Sequence, residues 1–234
     1  MPDHFQHIYH NHAARYDRMV AREDYQGSIL KALNDIRLMS GAEVVEFGAG
    51  TGRLTRLLAP QVKSIRAYDA AQAMLNVAAQ SLTALGVTNW QVAVGDNRKL
   101  PAADASADVT IEGWSFGHFA GWYPDTWREE VDAALAEMRR ILRPGGVAIL
   151  LETLGTGFET PTPPSEHLAA LYQWWQQEQG FAHRWIRTDY QFESVAEAAA
   201  LTGFFFGDEL ADRITREQLT ILPECTGLWW KVLA

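Results

Sequence analysis

Apolar positions along the chain fall into short continuous runs separated by longer stretches of helical spacing. The runs with strand character lie near Glu43–Phe47, Ser64–Tyr68, Trp90–Val94, Asp108–Glu112 and Val147–Thr153. Between them, the spacing of apolar residues predicts helices near Thr51–Leu58, Ala73–Leu85 and Tyr123–Leu142. Strands and helices alternating at these lengths call for a parallel sheet covered by helices on both faces. Arg143-Pro144-Gly145-Gly146 ends the longest helix, because proline cannot continue the helical ladder, and turns the chain into the fifth strand.

The flanking segments follow other patterns. From Ala13 to Leu38, residues Tyr16, Met19, Val20, Ile29, Leu30, Leu33 and Ile36 are spaced for one or two amphipathic helices, broken at Gly27-Ser28 with Ser28 as the cap. Residues 1–40 thus read as a helical lid over whatever the sheet binds. Beyond residue 154, Gly155–Pro164 reads as a loop, Glu166–Gln179 as a helix carrying Trp174 and Trp175, and Ala182–Phe192 as a strand. Ser194 and Glu197 have capping-box spacing and open a helix to Leu201, Asp208–Leu219 is a further helix, and Thr226–Leu233 is a last strand. Residues 155–190 are read as a lid or substrate-loop insertion, and 1–234 as one domain with no internal repeat.

Composition narrows the class. At 234 residues with 47% hydrophobic and 21% charged residues, the chain is long enough for one α/β domain with a full core. A formal net charge of −9 argues against DNA or long RNA as a partner. No apolar run approaches the ~20 residues that span a bilayer, so no membrane partner is expected. The N-terminus lacks the basic-then-apolar pattern of a secretory signal. Cys225 is the single cysteine, which fits a reducing cytoplasm. His4, His7 and His10 share a helical face with His12 nearby, yet no cysteine or carboxylate cluster accompanies them, and no metal is expected.

The candidate chemistry centres on Val44-Val45-Glu46-Phe47-Gly48-Ala49-Gly50-Thr51-Gly52-Arg53-Leu54: strand, glycine turn, helix start. Glycines let a ligand lie against the main chain, and a helix N-terminus offers free N–H groups. A dinucleotide fingerprint needs Gly-x-Gly-x-x-Gly, whereas Gly48, Gly50 and Gly52 form Gly-x-Gly-x-Gly; a phosphate loop needs a Gly-Lys-Ser/Thr ending that is missing. Asp69 closes the second strand, where a carboxylate can accept two ribose hydroxyls, and Gly95-Asp96 follows the third, within reach of an adenine amino group.

Together with Leu142-Arg143-Pro144-Gly145-Gly146, these residues resemble the class I S-adenosylmethionine-dependent methyltransferases, well over about residues 10–154. Gly203-Phe204-Phe205-Phe206-Gly207 and Gly227-Leu228-Trp229-Trp230 are similar to the tail of small bacterial members. The resemblance implies a Rossmann-like, seven-stranded, mostly parallel sheet of order 3-2-1-4-5-7-6 with strand 7 antiparallel. It also implies S-adenosyl-L-methionine as cofactor. Gly48, Ala49, Gly50, Thr51 and Gly52 would then hold its methionine part and Glu46 its amino group. Asp69 would bind the ribose, Ala70 and Met74 would lie against adenine, and Asp96 and Asn97 would meet the adenine edge. Glu112, Gly113 and Trp114 would line the pocket beneath the sulfonium, with Tyr16 as a lid tyrosine. Ala71 stands where the family often carries serine, removing a helix cap.

Methyl transfer from a sulfonium is an in-line displacement, so alignment matters more than a base. His118, just beyond the fourth strand, is the candidate base. Trp114, Phe119, Trp122, Trp174 and Trp175 are candidate walls for a small-molecule acceptor of an oxygen, nitrogen or carbon nucleophile, in a monomer or homodimer. A rival lies in Gly113-Trp114-Ser115-Phe116-Gly117, which matches the Gly-x-Ser-x-Gly elbow of serine hydrolases, with His167 and His183 downstream. That elbow must lead into a helix, and Gly117, Gly121 and Pro124 read as a loop. A non-catalytic cofactor-binding protein and a nicotinamide enzyme are the other readings.

Overall fold

The computed structural model describes residues 2–233; Met1 and Ala234, the ends of the expected single domain, lie outside the described residues. Five parallel strands form on the apolar runs: β1 (Glu43–Phe47), β2 (Ser64–Asp69), β3 (Trp90–Val94), β4 (Ala107–Gly113) and β5 (Leu142–Thr156). With β6 (Ala182–Arg187) and β9 (Glu224–Val232) they make one sheet of order β3-β2-β1-β4-β5-β9-β6. β9 runs antiparallel to both neighbours. This is the 3-2-1-4-5-7-6 order, because β7 (Tyr190–Gln191) and β8 (Ile221–Leu222) form a separate two-stranded ribbon.

That ribbon corrects the single strand expected over Ala182–Phe192. The Arg187 side chain and the Glu224 N–H both donate to the Asp189 carboxylate, and Thr188 N–H donates to Glu224 O, so the chain turns away from the sheet edge at this point. A second difference concerns β5, which starts at Leu142. Its register on β4 jumps from Ala107↔Leu142 to Val109↔Val147, so Arg143–Gly146 is accommodated as an irregularity inside the strand, pinned by ion pairs from Arg143 to Glu43 and Asp108.

Helices cover both faces. On one, α3 (Ser28–Ile36), α4 (Arg53–Leu58) and α5 (Gln72–Leu85) pack Ile29, Leu33, Leu54, Leu58 and Leu82 against Val44, Ile65 and Ile149. On the other, α6 (Gly117–Trp122), α7 (Trp127–Ile141) and α8 (Glu166–Gln177) bury Phe116, Phe119, Val131, Met138, Trp174 and Trp175 against Val45, Phe47 and Leu150. The helix expected from Tyr123 starts instead at Trp127, after a turn that contains Pro124, and a separate short helix, α6, precedes that turn. α1 (Pro2–Asn11) and α2 (Ala13–Val20) lie across the carboxyl ends of the strands, where α2 joins α9 (Val195–Phe206) and α10 (Asp208–Glu217) around Met19, Leu201 and Ile214.

The caps are partly those read from sequence. Ser194 Oγ accepts from Glu197 N–H at the start of α9. At α3 the cap is Asp24, not Ser28: its two carboxylate oxygens accept from Ser28 and Ile29 N–H at 2.7 and 3.0 Å. Asp24 reaches them by adopting φ 58°, a left-handed conformation that aspartate tolerates.

Candidate cofactor and acceptor site

The glycine turn after β1 has Gly48, Gly50 and Gly52 at φ 62°, 55° and 80°. A Cβ on Gly48 would lie 2.0 Å from Ser115 Oγ, and one on Gly52 would lie 2.9 Å from Ala78 Cβ. The turn is thus wedged between the end of β4 and α5. Its ladder partners are also specific. Ala49 N–H donates to Tyr68 O, Gly50 N–H donates to Asp69 Oδ2 at 2.8 Å, and Thr55 Oγ1 donates to Glu46 Oε2 at 2.6 Å. Asp69 Oδ1 accepts from Ala71 N–H at 2.8 Å, so the turn into α5 is held although Ala71 supplies no cap.

Around this turn is a cavity of about 370 Å³. Its walls carry Tyr16, Glu46, Gly48, Ala49, Gly50, Thr51, Asp69, Ala70, Met74, Asp96, Asn97, Gly113 and Trp114. Two residues named from the sequence are not on it. Gly52 faces α5 as the residue preceding α4. Glu112 is fully buried behind the wall, its Oε2 accepting from the Ser115 and Phe116 N–H groups and its Oε1 without a partner. Glu112 braces the β4–α6 turn, and it does not line the pocket.

Burial sets the electrostatics. Desolvation pushes the Glu46 carboxyl up to about 8 and raises Asp69 above the usual carboxylate range. Asp96 is shifted the other way: Arg98 Nε and Nη2 donate to its two oxygens at 2.8 and 2.5 Å, and this guanidinium holds the acid down. Arg98 also pairs with Glu130 at 2.7 Å, which anchors the Asp96 loop to α7. Nothing in the local sequence except Asp-x-Arg signals this link.

A second cavity of about 820 Å³ adjoins the first, bounded by α1, α2, α6, the end of β5, α8, α9 and α10. Six residues line both: Tyr9, Tyr16, Arg53, Trp114, His118 and Trp122. Trp114 holds φ 55°, an uncommon conformation for a bulky side chain, and its ring is covered by the Arg53 guanidinium at 3.8 Å. Arg53 pairs with Glu23 at 2.7 Å. His118 Nε2 shares a 2.8 Å hydrogen bond with the Tyr9 hydroxyl, and its ring stacks on Trp122 at 4.7 Å. Burial drives the His118 imidazole down to about 4 and the Tyr9 and Tyr16 hydroxyls upward. Both partners of the Tyr9–His118 bond are therefore neutral near pH 7.

The candidate acceptor walls divide. Trp114 and Trp122 reach the larger cavity, and Phe119 lines the smaller one. Trp174 and Trp175 line neither, which corrects their assignment: they are the buried face of α8, with Trp174 edge-on to Trp127 and Trp175 edge-on to Trp229. Sequence reasoning missed Tyr9, Glu152 and Glu224, whose meeting depends on the packing of α1, β5 and β9.

The hydrolase elbow changes and then fails. A helix, α6, does follow Ser115, contrary to the loop expected there. However, Ser115 Oγ accepts from Asn97 Nδ2 at 2.9 Å, and the left-handed residue is Trp114 rather than the serine. His183 stacks on Trp229 and His167 is exposed on α8, so among the described residues no imidazole engages Ser115. Nor, among the described residues, is there a group of three or more His, Cys, Asp or Glu side chains placed to hold a metal.

Comparison with known proteins bears on the same residues. Residues 45–150 match the model of a methyltransferase domain. A malonyl-[acyl-carrier protein] O-methyltransferase from Hahella chejuensis is 30% identical over 220 residues, covering 92% of this chain and 70% of that protein. The chain belongs to the class I S-adenosylmethionine-dependent methyltransferases. The fold agrees with the crystal structure of a SAM dependent methyltransferase from Aquifex aeolicus, with TM-score 0.60, 16% identity, and coverage of 94% of this chain and 98% of that one. A second malonyl-[acyl-carrier protein] O-methyltransferase, from Serratia marcescens, is 30% identical over 73% of this chain, which spans 57% of that relative's length.

S-adenosylmethionine is the family's cofactor, and the smaller cavity suits it. The glycine main chain is brought to the surface there, and carboxyls from Glu46, Asp69 and Asp96 stand on three successive strand ends. Among the described residues no helix is long and apolar enough to cross a membrane.

Proposed function

We propose that this chain methylates a small-molecule acceptor, with S-adenosyl-L-methionine in the smaller cavity and the acceptor in the larger one. The observation that carries the reading is the shared wall: a glycine-turn cavity with three strand-end carboxyls has six lining residues in common with a larger, mostly apolar cavity. When bound, the cofactor supplies a sulfonium methyl group as the electrophile. The chain's own part is to bind, orient and exclude water.

In this reading Asp69 accepts the ribose hydroxyls through the lone pairs that Gly50 and Ala71 leave free. Glu46 meets the amino group, Asp96 and Asn97 meet the adenine edge, and Ala70 and Met74 pack on the ring. Tyr16 and Trp114 bound the methionine end. Holding donor and acceptor in line is worth roughly 7–11 kcal/mol of barrier, enough that a dedicated base is optional. The Nε2 of His118 is already engaged by Tyr9, so its role is to hold α1 across the site rather than to take a proton. A single buried cysteine is consistent with a cytoplasmic protein.

Titration calorimetry with S-adenosylhomocysteine and with NADH tests the cofactor. Tight binding of S-adenosylhomocysteine, lost in Asp69→Ala and kept in His118→Ala, is the expected result. Binding of NADH alone would overturn the assignment.

A further inference from the structure

The larger cavity carries an imbalance of charge on its inner wall. Three carboxyls, Glu23, Glu152 and Glu224, line it there, and their cationic neighbour is Arg53. Arg53 is committed to Glu23 and to the face of Trp114. Two further guanidiniums, Arg213 and Arg216 of α10, are more exposed and share Glu217 between them, with Glu209 of the same helix also on the wall. Among the described residues neither Glu152 nor Glu224 forms an ion pair, and Arg53 acts on Glu224 only at longer range.

Both are built in rather than stray. Glu152 is 3% exposed and its Oε1 accepts from Gly117 N–H at 2.6 Å. This places it next to His118, which lines both cavities. Glu224 is 1% exposed; one oxygen accepts from Thr153 Oγ1 at 2.7 Å, and the other, Oε2, has no hydrogen-bond partner among the described residues. Burying a carboxyl without a partner is costly unless a ligand completes it. Glu112, also buried with an oxygen that has no partner among the described residues, lies behind Glu152, and burial together with that neighbouring acid raises its affinity for a proton. Apolar side chains, Phe158, Leu168, Phe206 and Leu210 among them, make up much of the remaining lining beside hydroxyls such as those of Thr153 and Tyr190.

Resting on the methyl-transfer reading, we propose that the acceptor is an amine with an apolar body, bound in its ammonium form by Glu152 and Glu224, with Glu152 as the proton acceptor. An ammonium supplies a positive charge and several N–H donors, which draws the two acids into their ionised form with release of their protons, whereas a carboxylate or phosphate acceptor would meet two acids and gain no cation. An ammonium must lose a proton before it is a nucleophile. One N–H bond breaks, its electron pair stays on nitrogen as the attacking lone pair, and the proton forms an O–H bond with the Glu152 carboxylate. Burial raises the affinity of both carboxyls for protons, which brings Glu152 toward the range of an effective base at neutral pH.

Calorimetry on the full chain with 2-phenylethylamine, and with phenylacetate and 2-phenylethanol as analogues of matched size, tests the proposal. The amine is expected to bind at least tenfold tighter than either analogue. Its binding is expected to release protons, seen as different apparent enthalpies in phosphate and Tris buffers at pH 7. Glu152→Gln and Glu224→Gln each reduce the amine preference at least tenfold and lessen that proton release, while melting cooperatively and still binding S-adenosylhomocysteine. An amine that binds no better than both analogues, or not at all, overturns the proposal, as does an unchanged preference in both glutamine variants. Failure of S-adenosylhomocysteine to bind would instead overturn the methyl-transfer reading, since the amine titration is run on the protein alone.

Discussion

Gly48 and Glu46 show how much of the site rests on single residues. Gly48 combines a left-handed φ of 62° with a Cβ position 2.0 Å from Ser115 Oγ, so any side chain must move both the turn and the β4 end. Gly48→Ala is expected to cost about 1–3 kcal/mol in chemical denaturation and to weaken S-adenosylhomocysteine binding with it. Glu46 is buried with its carboxyl raised to about 8 from an ordinary 4.5. The unfolded chain ionises this acid at lower pH than the folded one does. The stabilising contribution of the protonated form is therefore complete below about pH 4.5 and is lost as the pH rises through 8. Glu46→Gln keeps an acceptor for Thr55 and removes the titration. The variant should be more stable than the natural chain at pH 8 by roughly 2–4 kcal/mol, with a flatter melting-temperature profile between pH 5 and 8. Its S-adenosylhomocysteine affinity should fall. A variant that melts like the natural chain at both ends of that range would show that Glu46 is ionised when buried.

At the scale of elements, the connections matter more than the strands. Asp24 both caps α3 and follows Glu23, the partner of Arg53, so one short turn ties a helix start to the wall of both cavities. Asp24→Ala removes two capping bonds at a left-handed residue and is expected to cost about 1–2 kcal/mol in urea unfolding, with Asp24→Asn recovering part of it. The β4–α6 connection is the least readable from sequence. Glycines and a proline argue for a loop between residues 117 and 124, yet α6 forms because Glu112 and Glu152 accept the free N–H groups of Ser115, Phe116 and Gly117. Those acids come from two different strands. Local composition cannot announce a helix start whose partners arrive from elsewhere.

For the whole molecule, the two clusters of tryptophans have opposite roles. Trp175 is wholly buried between α8 and β9, and Trp175→Ala should cost about 3–5 kcal/mol of stability with no selective effect on S-adenosylhomocysteine affinity in the folded fraction. Trp122 lines both cavities, and Trp122→Ala should leave the melting temperature nearly unchanged while altering acceptor binding. The reverse pattern would return Trp175 to the acceptor wall. The cavities themselves belong to this scale. Elements from the start, middle and end of the chain, from α1 to β9, line the larger one, so no single stretch of sequence carries its signature.

What the chain determines by its sequence alone is the local and the periodic. The strand runs, the alternating helices, the glycine turn and the acids Glu46, Asp69 and Asp96 at strand ends all follow from short-range patterns, because backbone conformation and amphipathic burial are set within a few residues. Only the tertiary structure decided which tryptophans are core, that Glu112 lies behind the wall, that His118 is tied to Tyr9, and that Glu152 and Glu224 share a cavity. Those facts depend on contacts between residues far apart in the chain, Tyr9 and His118 being 109 positions apart. The proposed cofactor side is written in short motifs at successive strand ends, and the proposed acceptor side exists only where distant elements meet.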